Sequence, residues 1–304
     1  MRHPVRILIL GDQGQVAWEL RRTLSTLGEV SAVGRHSAPL AIDLSDSAAI
    51  LPLVEAVRPD WIVNAAAHTA VDQAETERDA AYAINATAPA ELALAALRVG
   101  ARLVHYSTDY VFDGRGQRPY REDDPTAPLG VYGASKLAGE DAIRETGVDH
   151  LILRTAWVYG ARGGNFMRTI RRLAREREEL RIVADQYGAP TWSRQIAEAT
   201  AQMLVRLGQD AEAWRALGGT YHLTSAGEAS WHEFAAAIVA HQRQHEPVKV
   251  ERVLPIPGSD YPTPARRPAY SVLDCSKLAD HFGIRLPHWR DALRLVQEEL
   301  TASV

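Results

Sequence analysis

Short apolar runs closed by turn residues alternate with stretches of helical periodicity through the first half of the chain. Val5 to Leu10 is such a run, stopped by Gly11-Asp12, and it predicts a first strand. A helix is expected over Trp18 to Leu27, a second strand over Val30 to Val33, and another at Trp61-Ile62-Val63-Asn64 after the Pro59-Asp60 turn. Leu103 to Ser107 and Leu151 to Arg154 supply two later strands. Strands and helices alternating in this way are the pattern of βαβ units, so the expected class is α/β, a doubly wound parallel sheet.

The Ala-rich stretch from Asp79 to Arg98 reads as helix interrupted by Pro89. Two readings stay open there. Either the carbonyl of Asn85, which proline cannot bond, is freed at a bend and can hold a water, or Pro89 starts a second helix. Beyond residue 160 the texture changes to Gly163-Gly164, an Arg-dense helix from Asn165 to Glu179 and Pro-rich segments near 255–268. The Arg/Glu alternation in that helix reads as a solvated face. Tyr221-His222-Leu223 is expected to return to the main sheet. The sheet domain would then comprise 1–158 with about 194–224, and a smaller carboxy-terminal α/β lobe would comprise about 159–193 with 225–304.

Composition narrows the function. A chain of 304 residues has room for one large domain and an appended lobe. A formal charge of -4 gives no basic field for gripping a phosphate backbone, so nucleic acid is not an expected partner. The single cysteine, Cys275, excludes an internal disulfide framework and a cysteine metal cluster, which fits a reducing cytoplasm. The apolar run ending at Leu10 is too short for a signal-peptide core or a membrane span. No His/Asp/Glu spacing reads as a metal cage, so no metal is expected.

Three segments carry chemistry. Tyr132 and Lys136 lie four apart on a helical stretch and share one face, so an ammonium can stand beside a phenol. At an effective dielectric of ~20 an ammonium about 4 Å away is worth about 4 kcal/mol, enough to bring a phenol from ~10 toward neutrality. Gly11-Asp12-Gln13-Gly14-Gln15-Val16-Ala17 follows the first strand and opens a helix, where backbone N–H groups can approach a pyrophosphate at the positive end of the helix dipole. After the second strand, where an acid would bind a ribose 2′-hydroxyl, stands Gly34-Arg35-His36. An arginine there suits a 2′-phosphate, and with no carboxylate to repel it NADPH is expected over NADH; the other reading of Arg35 is an ordinary surface residue. Asp43-Leu44 either borders the adenine or supplies, through Asp43, the cap of a helix over 45–57.

Together with Val63 to Asp72, His105 to Phe112, Tyr132 to Glu140, Arg154 to Tyr159, Asp185 to Thr191 and Tyr261 to Pro264, these segments resemble the dTDP-4-dehydrorhamnose reductase family. That family belongs to the extended short-chain dehydrogenases/reductases, and the resemblance runs over about residues 5 to 300. It implies that Tyr132 protonates the C4 oxygen while NADPH delivers hydride to C4. Lys136 would hold the nicotinamide ribose and lower the tyrosine's pKa, and Thr108 would hydrogen-bond the keto oxygen. It further implies that Ala65, Ala66, Ala67, His68, Thr69 and Tyr106 line the nicotinamide and ribose side, and that Asp109 contacts the sugar. Trp157 would offer the sugar a flat apolar face, or else serve as a core aromatic. Asn165, Gln186 and Arg267 fall in segments resembling the substrate lobe, where polar groups meet the thymidine diphosphate.

Dehydratases of the superfamily carry Thr-Asp-Glu where this chain has Thr108-Asp109-Tyr110, which argues for simple reduction. Some relatives are thought to dimerise through magnesium held by glutamates just after the Gly-Ala-Pro-Thr segment. Here Ser193-Arg194-Gln195 stands there, so a monomer or weak homodimer without metal is expected. Two rivals remain: a non-catalytic NADP-binding regulatory subunit like that of methionine adenosyltransferase, and a reductase of another nucleotide-linked 4-keto sugar.

Overall fold

Ile7 and Ile9 face one side of the first strand and Leu8 and Leu10 the other, and all four are fully buried. A strand covered on both faces belongs in the middle of a parallel sheet flanked by helices. The computed structural model, which describes residues 4–302, has that architecture. The first half runs β1 (Val5–Leu10), α1 (Gln15–Leu24), β2 (Gly28–Val33), α2 (Ile50–Val57), β3 (Trp61–Asn64), α3 (Val71–Ala74), α4 (Arg78–Tyr82), a π-helical turn (Ala83–Thr87), α5 (Ala88–Val99), β4 (Arg102–Thr108), α6 (Val131–Thr146) and β5 (His150–Thr155).

The second half begins with β6 (Val158–Tyr159), α7 (Phe166–Glu176), β7 (Glu179–Val183), β8 (Tyr187–Gly188) and β9 (Thr191–Trp192). It continues with α8 (Ser193–Leu207), α9 (Ala211–Leu217), β10 (Gly219–His222), β11 (Ala229–Ser230), α10 (Trp231–His245), β12 (Arg252–Ile256), α11 (Ser276–Phe282) and α12 (Trp289–Ala302).

The main sheet has the order β10-β5-β4-β3-β1-β2, with every pairing parallel. The chain goes from β1 outward to β2 and then back across to β3, so the order reverses beside β1. Ligands bind outside the carboxyl ends of the strands at such a point. One apolar core lies between the sheet and α1, α8 and α9, and a second between the sheet and α2, α5 and α6. A third, built from Tyr159, Met167, Phe234, Trp289 and their neighbours, belongs to the second lobe. As expected, β10 returns to the sheet, pairing Tyr221 with Leu153. The boundary after it differs from expectation, because Leu278, Phe282 and Ile284 pack into the first core against Tyr221 rather than into the lobe.

Other differences are local. Helix α1 begins three residues earlier than expected, at Gln15 with Gly14 as its N-cap. The Arg-dense helix stops at Glu176, and Glu179 opens β7 instead. The helix expected from residue 45 starts at Ile50 behind a single 3-10 turn, while Asp43 binds the backbone N–H and hydroxyl of Ser45.

Around Pro89 both open readings contribute. Proline sits in the first turn of α5, where its missing N–H costs nothing, and the preceding turn widens to π geometry. The carbonyl of Asn85 meets Gly139 of α6, where a Cβ would stand 2.1 Å from the oxygen. Helix α6 therefore packs closely against this carbonyl. Gly139→Ala must push α6 off the π turn, and overpacking of this kind costs about 1–3 kcal/mol. A urea midpoint lowered accordingly is the expected result; an unchanged midpoint would show slack between the helices.

Candidate active site

The carboxyl ends of β1, β3 and β4 open into a cleft of about 980 Å³ that reaches across to the second lobe. Gly11 ends β1 with φ +94, a left-handed conformation that glycine adopts freely, and a Cβ there would meet Ala66 N at 3.0 Å. The turn can therefore lie flush against the β3 loop. Gly14 caps α1 without any side-chain hydrogen bond, which leaves the first-turn N–H groups facing the cleft as a ready anion site. Of the residues expected to contact a dinucleotide, Gly11, Gln13, Gly14, Gln15, Val16, Arg35, Asp43, Leu44, Ala65, Ala66, Ala67, Thr69, Tyr106, Tyr132 and Lys136 all line this cleft.

His68 does not. Its backbone N–H donates to Asn85 Oδ1 at 2.8 Å, its carbonyl accepts from Asn85 Nδ2 at 3.1 Å, and its ring lies 3.6 Å from Glu77. Asn85 also donates to Ser135 Oγ, so this fully buried amide ties the β3 loop to α6. The sequence reading attended to the Asn85 carbonyl and missed its side chain. A polar residue inside an Ala-rich helix just before a proline was the available signal.

Thr108, Tyr132 and Lys136 converge at the centre of the cleft. Gly133 makes this possible, because a Cβ there would stand 2.2 Å from the Tyr110 carbonyl. The electrostatics differ from expectation. Burial pushes the Tyr132 phenol up to about 12, with Thr108 working the other way. The Lys136 ammonium donates to the Tyr106 carbonyl at 2.6 Å and lies 3.1 Å from His105 Nε2. Burial lowers Lys136 to about 8 against the opposing field of Glu140. Burial is thus the largest influence on both groups, and the ammonium's short contacts go to the Tyr106 carbonyl and His105.

Behind Lys136 stands a row of buried polar groups that the sequence reading left without roles. His105, held well below its ordinary pKa by burial and then by Lys136, lies 3.1 Å from Asn64 Nδ2. Glu140, one helical turn past Lys136 and fully buried, takes bonds from Arg154 at 2.9 and 2.7 Å and from Arg144 at 3.1 Å. Burial would raise the Glu140 carboxyl, but the Arg154 hydrogen bonds and charge hold it below the ordinary value.

The expected sugar contacts divide. Asp109 lines the cleft and accepts from Thr108 Oγ1 at 3.0 Å, and burial raises its carboxyl to about 6. Trp157 also lines it, with φ +46, a left-handed backbone rare outside glycine. Its ring stacks on Trp231, with centroids 3.4 Å apart and planes at 4°, and Trp231 in turn meets Phe166. Gly188 clears the space beside the indole, since a Cβ there would stand 2.5 Å from Trp157 Cε2. Trp231 was not singled out in the sequence.

Asn165, Gln186 and Arg267 lie outside the cleft lining. Asn165 is the N-cap of α7, and its amide donates to Gln15 Oε1 and the Gly160 carbonyl, which also takes up the Gln15 side chain. Gln186 sits beside Gly258. Arg267 bonds Asp72 Oδ2 at 2.9 Å and so ties the Pro-rich segment to α3.

The second strand's end also differs. Gly34 carries no acid, yet the carboxylate of Asp12 reaches the same place and bonds Ser37. The expectation that this corner lacks a carboxylate is therefore corrected.

Asp109 yields a test of these electrostatics. A carboxyl that keeps its proton to about 6 when folded, against ~3.9 unfolded, weakens the folded state progressively as pH rises from ~4 to ~6 and fully above that. Asp109→Asn is expected to raise stability by about 2–3 kcal/mol near pH ~8 and by almost nothing near pH ~4, while lowering turnover. A gain of the same size at both pH values in urea unfolding would refute the assignment.

A family model described as the RmlD substrate binding domain matches residues 5–302. The dTDP-4-dehydrorhamnose reductase of Burkholderia thailandensis is 52% identical over 299 residues, covering 97% of this chain and 99% of the relative. That of Escherichia coli strain K12 is 45% identical over 298 residues, covering 97% and 98%. The solved structure of a dTDP-4-dehydrorhamnose reductase from Bacillus anthracis in complex with NADP aligns with a TM-score of 0.86 at 36% identity, over 98% of this chain and 100% of that one. Sequence and fold agree from one end to the other, and the chain belongs to the dTDP-4-dehydrorhamnose reductase family.

Proposed function

We propose that the protein reduces the C4 keto group of dTDP-4-dehydro-β-L-rhamnose to give dTDP-β-L-rhamnose, with NADPH as reductant. The observation that carries this reading is the meeting of Thr108, Tyr132 and Lys136 beside an uncapped helix N-terminus at the reversal point of the sheet. The residues present suit a dinucleotide: Gly11 and Gly14 leave a cradle that a side chain would fill or narrow. NADPH, when bound, supplies hydride to C4. The turn at Gly11 to Gly14 and the first N–H groups of α1 would hold its pyrophosphate, and Lys136 would hold its nicotinamide ribose.

The protein's own groups then manage the proton. A phenol pushed up to about 12 remains protonated at neutral pH, so Tyr132 has a proton to give to the C4 oxygen. Thr108 donates a hydrogen bond to the same oxygen, and Asp109 and the outer face of Trp157 orient the sugar. Tyr110, pushed up by burial, stands where a dehydratase has its glutamate, and it offers no carboxylic acid for eliminating water. The substrate lies between the sheet domain and the second lobe. The protein acts in the cytoplasm, as a monomer or weak homodimer. No helix among the described residues is long and apolar enough to cross a membrane.

Tyr132→Phe is expected to cut turnover by ~10²–10⁴-fold with NADPH affinity nearly unchanged. Single-turnover NADPH oxidation within a few-fold of the parent protein would remove Tyr132 from the role, and no oxidation with the parent would favour a binding subunit. Titration with dTDP against UDP and GDP identifies the base.

Arg35→Ala is expected to weaken NADPH by about ten- to a hundredfold, the worth of a charge-assisted contact, with NADH little changed. Equal losses in the two dissociation constants would make Arg35 a surface residue only. The complementary Gly34→Asp exchange is unsuited as a test, since a Cβ at position 34 would stand 2.0 Å from Asp12 Oδ1.

Where some relatives are thought to hold magnesium, Arg194 bonds Glu19 at 3.3 Å and Glu299 at 2.7 Å. Activity is expected to persist in a chelator. Loss of activity there, restored by magnesium, would contradict it.

A further inference from the structure

The acid missing from the end of β2 arrives from the glycine turn. A Cβ on Gly34 would stand 2.0 Å from Asp12 Oδ1 and 2.8 Å from its Cγ, so the Asp12 carboxylate occupies the room of a side chain at position 34. It is anchored there. Asp12 Oδ2 accepts from Ser37 Oγ at 2.9 Å and from Gln13 Nε2 at 2.8 Å, while Ser37 Oγ accepts from the Gly34 N–H at 2.8 Å. Burial works against the charge, but these hydrogen bonds hold the carboxyl below its ordinary pKa, so it is ionised at neutral pH. Asp12, Gly34, Arg35 and Asp43 all line the cleft, and the Arg35 guanidinium adds its charge to the hydrogen bonds of Ser45 in holding the Asp43 carboxyl below its ordinary value. This corner therefore presents two carboxylates, Asp12 at the end of β2 and Asp43 beyond it, beside the guanidinium of Arg35.

We infer that Asp12 sets the choice of nicotinamide cofactor. Its carboxylate takes the place of the acid that dinucleotide folds present from the end of the second strand, accepts the adenosine ribose hydroxyls, and opposes the 2′-phosphate that Arg35 attracts. The balance between the two cofactors is therefore set by Asp12 against Arg35. The inference rests on the proposed dinucleotide site and deepens it, but it does not depend on the identity of the sugar.

Dissociation constants for NADH and NADPH, measured on the full chain by nicotinamide fluorescence without sugar, test it. Asp12→Asn keeps the shape and removes the charge. It should tighten NADPH roughly three- to tenfold, the scale of one to two unit repulsions across a few ångströms of water, and weaken NADH by a similar factor. Ser37→Ala loosens the anchor without removing the charge, and should shift the NADPH-to-NADH ratio in the same direction by a clearly smaller factor. Thermal unfolding of both variants monitors the fold. A ratio unchanged in Asp12→Asn, or shifted as much in Ser37→Ala, would overturn the inference and show that Asp12 only braces the loop. Binding of neither dinucleotide by the parent chain would instead defeat the dinucleotide reading itself.

Discussion

The distance at which α6 can lie from its neighbours governs the catalytic end of this molecule. Two glycines set that distance, Gly133 against the Tyr110 carbonyl and Gly139 against the Asn85 carbonyl, with no room for a Cβ at either. Only a helix seated this deep carries Tyr132 into the cleft, buries Lys136 and brings Glu140 onto Arg154. The seat is then locked electrostatically, since removing one partner of a buried, hydrogen-bonded ion pair strands a charge at a cost of about 3–5 kcal/mol. Packing and charge thus fix the same helix at different levels, backbone contact first and side-chain pairing behind it.

The parts legible in the sequence were those that local chemistry determines. Strands buried on both faces are unbroken apolar runs, so β1, β3, β4 and β5 stand out, and the Tyr132/Lys136 spacing and the glycine turn are short-range patterns. The electrostatic consequence was less legible, because a Coulomb estimate between two side chains says nothing of the desolvation that each suffers. Lys136 and Tyr132 are governed by burial first. The structural ties of Asn165 and Arg267 were not legible for a related reason: a polar residue in a loop looks the same whether it awaits a ligand or bonds another element. Here one caps α7 and the other pairs with Asp72. Asp12 was hidden differently, since its position in the chain says nothing of the corner its side chain reaches.

Beside the cleft the two lobes are joined by a few directional contacts. Asn165 bonds Gln15 at the glycine turn, Arg267 bonds Asp72, and Trp157 leaves the end of β5 in a left-handed conformation to stack on Trp231 of the second lobe. A non-glycine residue held with positive φ costs of order 1–3 kcal/mol, which surrounding contacts must offset. The indole stack and the clearance at Gly188 are such contacts. The seam beside the cleft is therefore specific in geometry.

Strand β10 reaches β5 only after the chain has built β6 to β9 and α7 to α9. On a ribosome, β5 emerges with its outer edge bare and stays so until residues 219–222 follow. An unpaired edge on an apolar strand is a template for wrong partners, and closing a long detour before a parallel pairing forms is slow. The sheet thus cannot close until the first segment of the second lobe has been made, and no single cut of the chain yields the two halves as separate folding units. Fragments ending before residue 219 would carry an exposed β5, making aggregation the natural fate of a truncated chain.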